Sequence, residues 1–114
     1  MIPRNGSFLG GLFESLVTLS VRVFAQSAEA RIFHMRTRDG NHEVDLIVES
    51  ASGEVVAFEV QLAGTVDGEA CKQLNWLRDQ IGDRLKARVV VTTGRAAYRR
   101  DDGVCVVPLA LLGP

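Results

Sequence analysis

Cysteine is scarce in this chain of 114 residues: only Cys71 and Cys105 occur, each in an apolar context. They lack the close spacing of metal-ligand pairs and fit small buried hydrophobes in a reducing compartment, with a disulfide as the alternative. An excess of one charge is missing as well. Thirteen Lys and Arg meet fourteen Asp and Glu, for a net charge of −1, so binding to nucleic acid would need a local basic patch. Arg84, Lys86 and Arg88 offer one such group and Arg95, Arg99 and Arg100 another; both read first as solvated surface. No apolar run has the length of a membrane span. The opening Met1-Ile2-Pro3-Arg4-Asn5-Gly6 lacks the architecture of a signal peptide, so the expected location is cytoplasmic. Neither a repeat nor a low-complexity segment interrupts the chain, and no GxxxxGK[ST] phosphate loop occurs.

An apolar content of 46% argues against disorder, and the length suits one domain with a modest core. Residues 1–6 read as a linker or N-terminal extension and residues 7–114 as the domain. Ser7 can cap a helix to about Ala25, with Leu9, Leu12, Phe13, Leu16, Val17, Val23 and Phe24 at helical spacing. Glu14 is its one acidic residue, at the edge of the apolar stripe. Three strand-like runs follow: Arg31–Arg36, Glu43–Val48 and Val55–Gln61. A second helix, capped by Thr65 or Asp67, buries Ala70, Leu74, Leu77 and Ile81 and stops at Gly82. Trp76 lies beside that face, as core or interface. A Val-rich strand spans Leu85 to Thr93, and the turn Asp101-Asp102-Gly103 separates Tyr98–Arg100 from Val104–Val107. The expected fold is α/β (α+β): helix, three antiparallel strands, helix, two further strands, in a mixed sheet with flanking helices.

Two acids interrupt the apolar strands: Asp45 in Glu43-Val44-Asp45-Leu46-Ile47-Val48, and Glu59 in Val55-Val56-Ala57-Phe58-Glu59-Val60-Gln61. Burying them is costly unless something pairs with them. A shared hard cation, Mg²⁺ or Mn²⁺, is one such partner. With Ala51-Ser52-Gly53 as the loop, Ser50 faces Glu54 and Asp45 faces Glu59, their Cβ atoms about 5 Å apart on one face. A two-residue loop would send them to opposite faces. Asp39-Gly40 signals a two-residue turn that sets Arg36 opposite Glu43 and His34 opposite Asp45. One face would then gather His34, Arg36, Glu43, Asp45, Glu59 and Gln61. The other, with Val44, Leu46, Val48, Val56, Phe58 and Val60, reads as core.

This order, with an acid on the second strand and Glu-x-Lys-like chemistry on the third, resembles the PD-(D/E)XK nuclease superfamily and its restriction-endonuclease-like core. Gly11-Leu12-Phe13-Glu14-Ser15-Leu16-Val17, Arg36 to Leu46, and Phe58-Glu59-Val60-Gln61 resemble successive motifs of one family. Leu77-Arg78-Asp79, Val90–Gly94 and Val106–Leu109 resemble its later landmarks. That family is the domain of unknown function at the C-terminus of bacterial and archaeal AAA-type ATPases. The resemblance implies an AAA-type ATPase domain as partner, which must lie outside this chain. It also implies a Mg²⁺- or Mn²⁺-dependent site for cutting DNA, with Glu14, Asp45, Glu59 and the Val60 carbonyl around the metal. Gln61 would orient the attacking water, and Arg36 or His34 would hold the phosphate. Gln61 departs from the pattern, which has Lys there. Gln orients water but supplies no charge to the transition state, a loss of roughly 10² or more in rate. Lys72 on the second helix is a conceivable substitute, though a solvated helix lysine fits it better. The alternatives are a catalytically degenerate accessory module of such an ATPase and a structural domain that dimerises through the Trp76 helix.

Overall fold

The computed structural model describes residues 29–63, 66 and 68–111. The expected helix from Ser7 to Ala25, with Glu14, lies outside them, as do Thr65 and Asp67. Strands β1 (Arg31–Arg36), β2 (Glu43–Glu49) and β3 (Val55–Gln61) form an antiparallel meander. Helix α1 (Gly68–Ile81) then crosses over to β4 (Leu85–Thr92), which runs parallel to β3. The short β5 (Tyr98–Arg99) turns into β6 (Cys105–Pro108), which lies parallel to β4. The result is an α+β fold with one mixed six-stranded sheet, in the order β1-β2-β3-β4-β6-β5. Among the described residues no helix is long and apolar enough to cross a membrane.

Local chemistry explains these elements. Cys71, Leu74 and Leu77 recur at helical spacing and are buried, with Ala70, Trp76 and Ile81 packed alongside. The helix gives way to a 3₁₀ turn at Gly82, whose φ of +58° suits a residue without a Cβ. β4 sits between two parallel neighbours, so its Val89-Val90-Val91 run is buried on both faces. The loops 51–53 and 101–103 are built alike. In each the strand-end residue donates to the residue four positions on, Ser50 to the Glu54 carbonyl and Arg100 to the Val104 carbonyl, both at 2.8 Å. Each places glycine at positive φ, Gly53 at +88° and Gly103 at +92°.

The β2–β3 loop therefore sets the expected register. Glu49 faces Val55, and the pairing runs unbroken to Leu46 opposite Phe58. The β1–β2 hairpin departs from expectation twice. Its turn is wider than the two-residue form: the Thr37 amide donates to the His42 carbonyl at 2.8 Å, and the loop covers residues 38–41. Farther along, Phe33 faces Ile47 but Met35 faces Val44, so β2 carries one extra residue opposite His34. Such a β-bulge reverses the alternation beyond it.

The bulge redistributes the two faces. Val44 turns to the α1 side and joins Ile47, Val55 and Ala57 in the main core. The face expected to be half polar is thus the most deeply buried. The face expected as core holds a second cluster around Leu46, Val89 and Val91, where Val48, Val56, Phe58 and Val60 are only partly buried.

Candidate functional site

Asp45 lies at the bulge, where regular β2–β3 pairing stops at Leu46 and Phe58. Its side chain takes over from the backbone: Oδ2 accepts the Val60 N–H at 2.8 Å. This contact draws the Asp45 carboxylate to the carboxyl of Glu59, one residue earlier on β3. The two acids are in side-chain contact, and the Asp45 backbone N–H lies toward the Glu59 carboxyl. Glu59 is only 9% exposed, and among the described residues its Oε1 is buried with no hydrogen-bond partner. Burial first, then the charge and contact of Asp45, push the Glu59 carboxyl up to about 9. It therefore holds a proton at neutral pH when no cation is bound.

Gln61 follows Glu59 on the same face and pairs in register with Thr92 at the end of β4. Thr92, 1% exposed, is a further buried polar neighbour, absent from the set expected from the sequence. A Thr closing a Val run at the C-terminal end of a central strand was the available signal.

The remaining expected members lie elsewhere. Because β1 alternates regularly, with Ile32 against one cluster and Met35 against the other, His34 and Arg36 project to the face opposite Glu59. Glu43 goes with them: its Oε1 is 3.2 Å from His34 Nε2, and His34 Nδ1 contacts the Asp45 carbonyl at 3.2 Å. The single polar face expected from the sequence is thus divided by the bulge. Arg36 folds toward the Gly40 turn. His34 supports the bulge rather than standing with Glu59 and Gln61. Glu14 is outside the described residues. Lys72 is exposed on α1 and lines a cleft with His42 and Trp76, with no contact to Asp45 or Glu59 among the described residues.

The basic groups are partly consumed by the fold. Arg84 donates to the Gly53 carbonyl and to Glu49. Arg88 donates to Asn75 Oδ1 and to the Asp102 carbonyl, pinning α1 to the β5–β6 turn. Two of the three side chains in the Arg84, Lys86 and Arg88 group are thus committed to structural contacts.

As a donor set, two adjoining carboxyl groups with one unsatisfied buried oxygen suit a hard cation. No cluster of three or more His, Cys, Asp or Glu side chains exists among the described residues. A cation held here would complete its shell with carbonyl oxygens and water.

The family described as a domain of unknown function, DUF4143, matches residues 9–112. The chain belongs to that family. No curated protein matches it.

Proposed function

We propose that this member of the family is a nuclease-like domain of the PD-(D/E)XK type, which binds Mg²⁺ or Mn²⁺ through Asp45 and Glu59 and acts on DNA phosphodiesters. One observation carries the reading: Glu59 is buried against a second carboxyl group with Oε1 unsatisfied. A protein gains little stability from such a pair unless a cation joins it. The restriction-endonuclease-like description of the core and the association with an AAA-type ATPase belong to the same proposal. They rest on the motif resemblance from Gly11 to Leu109.

The bound cation would lower the pKa of a coordinated water and polarise the phosphate. The residues of this chain do the rest. Asp45, held by the Val60 N–H, would hold the metal together with Glu59, which would bind it as the carboxylate. Gln61, on the same face as Glu59, orients a water by hydrogen bonding. The Val60 carbonyl and Glu14 are further candidate ligands.

A second reading has its own support. Gln61 brings no positive charge where the superfamily pattern has Lys, which fits a degenerate accessory module of the ATPase. Plasmid nicking in Mg²⁺ or Mn²⁺, with a chelator control, separates the two. The nuclease reading expects Gln61→Lys to raise metal-dependent cleavage by about 10² and Asp45→Ala to abolish it in both backgrounds. If metal binds yet neither wild type nor Gln61→Lys cuts DNA, the accessory module is the better account. Cleavage that survives Asp45→Ala would rule this site out.

A further inference from the structure

We propose that the cleft between α1 and the β5–β6 turn binds a nucleotide unit, its base against the His42–Trp76 pair and its phosphate on Lys72 and Arg100. The cleft encloses about 480 Å³, within the range of small-ligand sites. The proposal does not depend on chemistry at Asp45 and Glu59.

One wall is flat and preformed. The His42 and Trp76 rings stack with centroids 4.0 Å apart and planes inclined by 6°. His42 Nδ1 is held 3.0 Å from Gln73 Oε1, so the imidazole is oriented before any ligand arrives. Trp76 stays partly exposed at the cleft. Aromatic surfaces of this kind accept a base through its π-face without reading its sequence.

The cleft carries charges of both signs, Lys72 and Arg100 beside Asp79 and Asp102. Lys72 forms no ion pair among the described residues and stands one helical turn before Trp76, about 5–6 Å away on the same side of α1. Opposite, Arg100 is ion-paired to Asp102, with Nε 3.5 Å from Oδ1, and that Nε is buried without a hydrogen bond. Asp102 has other commitments: Oδ2 accepts from Asn75 at 3.1 Å, and Oδ1 accepts the Val104 N–H at 3.1 Å. Asp79 at the far end faces its neighbour Arg78 at 3.5 Å. The Arg100 side chain as a whole is 33% exposed, so its guanidinium can meet an anion from the cleft in a charge-assisted hydrogen bond. A planar ring carrying a phosphate meets both needs at the spacing that Lys72 and Trp76 provide.

The unit can be a free nucleotide or one residue of a single strand. His42 lies three residues before Asp45, roughly 10 Å along an extended chain, so a strand passing the acid pair would reach the cleft.

Trp76 is the chain's only tryptophan, so its fluorescence reports on the cleft directly. The wild type and Lys72→Glu, an exposed substitution, are titrated in chelator with adenosine 5′-monophosphate, adenosine and a short oligothymidylate. We expect saturable quenching by the monophosphate or the oligonucleotide, at least tenfold weaker for adenosine and for Lys72→Glu. A tighter half-saturation for the oligonucleotide assigns the unit to a strand, and a tighter one for the monophosphate assigns it to a free nucleotide. No saturable quenching by either, or equal affinity in Lys72→Glu, would overturn the proposal. Chelator keeps metal out, so the outcome is separable from that of the nuclease reading.

Discussion

Two polar clusters lie along the α1 side of the sheet, and they treat their charges in opposite ways. In the first, Arg88 donates to Asn75 and to the Asp102 carbonyl, while Asn75 and the Val104 amide donate to the Asp102 carboxylate. In the second, Asp45 and Glu59 place two carboxyl groups together, and one oxygen is left without a partner. The first is a closed network that ties a helix to a turn. The second is open, and its energy is recovered only if a ligand completes it. Buried polar groups in native proteins are nearly always satisfied, so Glu59 Oε1, like Arg100 Nε at the rim of the first cluster, marks a place to look for function.

The largest effect should come from opening the closed cluster. Arg88→Ala leaves Asn75 Oδ1 and the Asp102 carbonyl without their donor and removes the positive charge beside the Asp102 carboxylate. We expect a loss of about 2–4 kcal/mol in urea unfolding. A loss below about 0.5 kcal/mol would mean that water replaces the guanidinium and that the network is not structural.

The open cluster should respond with the opposite sign. Glu59 has its pKa raised from an ordinary 4.5 to about 9, so the folded protein keeps a proton that the unfolded chain releases. Its contribution to stability is fully present below about pH 4.5 and is lost as pH rises towards about 9. Glu59→Gln removes the charge and should stabilise the protein by about 1–3 kcal/mol at pH 9, with little change at pH 4. Thermal melts across that range test this. Parallel pH profiles for the two proteins would show that Glu59 does not titrate as its burial demands.

A cation should convert the open cluster into a closed one. At ten times its dissociation constant, Mn²⁺ should stabilise the wild type by about 1.4 kcal/mol, a rise of several degrees in melting temperature. Glu59→Gln and Asp45→Asn should show no such rise. An equal rise in all three proteins would place the metal elsewhere.

The contrast also explains what could be read from the sequence. Gly53 at the end of a three-residue loop fixes the parity of β2 and β3, and with it the meeting of Asp45 and Glu59. That information is local, carried by turn chemistry and alternation. The bulge opposite His34 is not local in the same sense. One extra residue in β2 leaves no compositional mark, because Val44, Leu46 and Ile47 are all acceptable on either face. Its consequence is large, since it moves His34, Arg36 and Glu43 away from Glu59. Arg88 reads as a solvated charge and Asp102 as a turn residue for a similar reason. Their partners lie on other elements, and nothing in their own neighbourhoods announces them. The expected turn at Asp39-Gly40 failed because the Thr37 side chain also joins the loop, donating to Asp39 Oδ1 at 2.7 Å and accepting the His42 N–H at 3.1 Å.

The smallest effect is expected at the edge of the open cluster, where His34 touches the Asp45 carbonyl and Glu43. Both side chains of the His34–Glu43 pair are about half exposed, so solvent and salt screen it, and such pairs contribute about 0–1 kcal/mol. His34→Ala should therefore change stability by less than about 1 kcal/mol, with any loss shrinking at high salt. It should leave the Mn²⁺-induced rise in melting temperature nearly unchanged, because the Asp45 carboxylate is positioned by the Val60 N–H and not by the imidazole. Loss of the Mn²⁺ response in His34→Ala would show instead that the bulge depends on its edge contact, and that the acid pair cannot be understood from β2 and β3 alone.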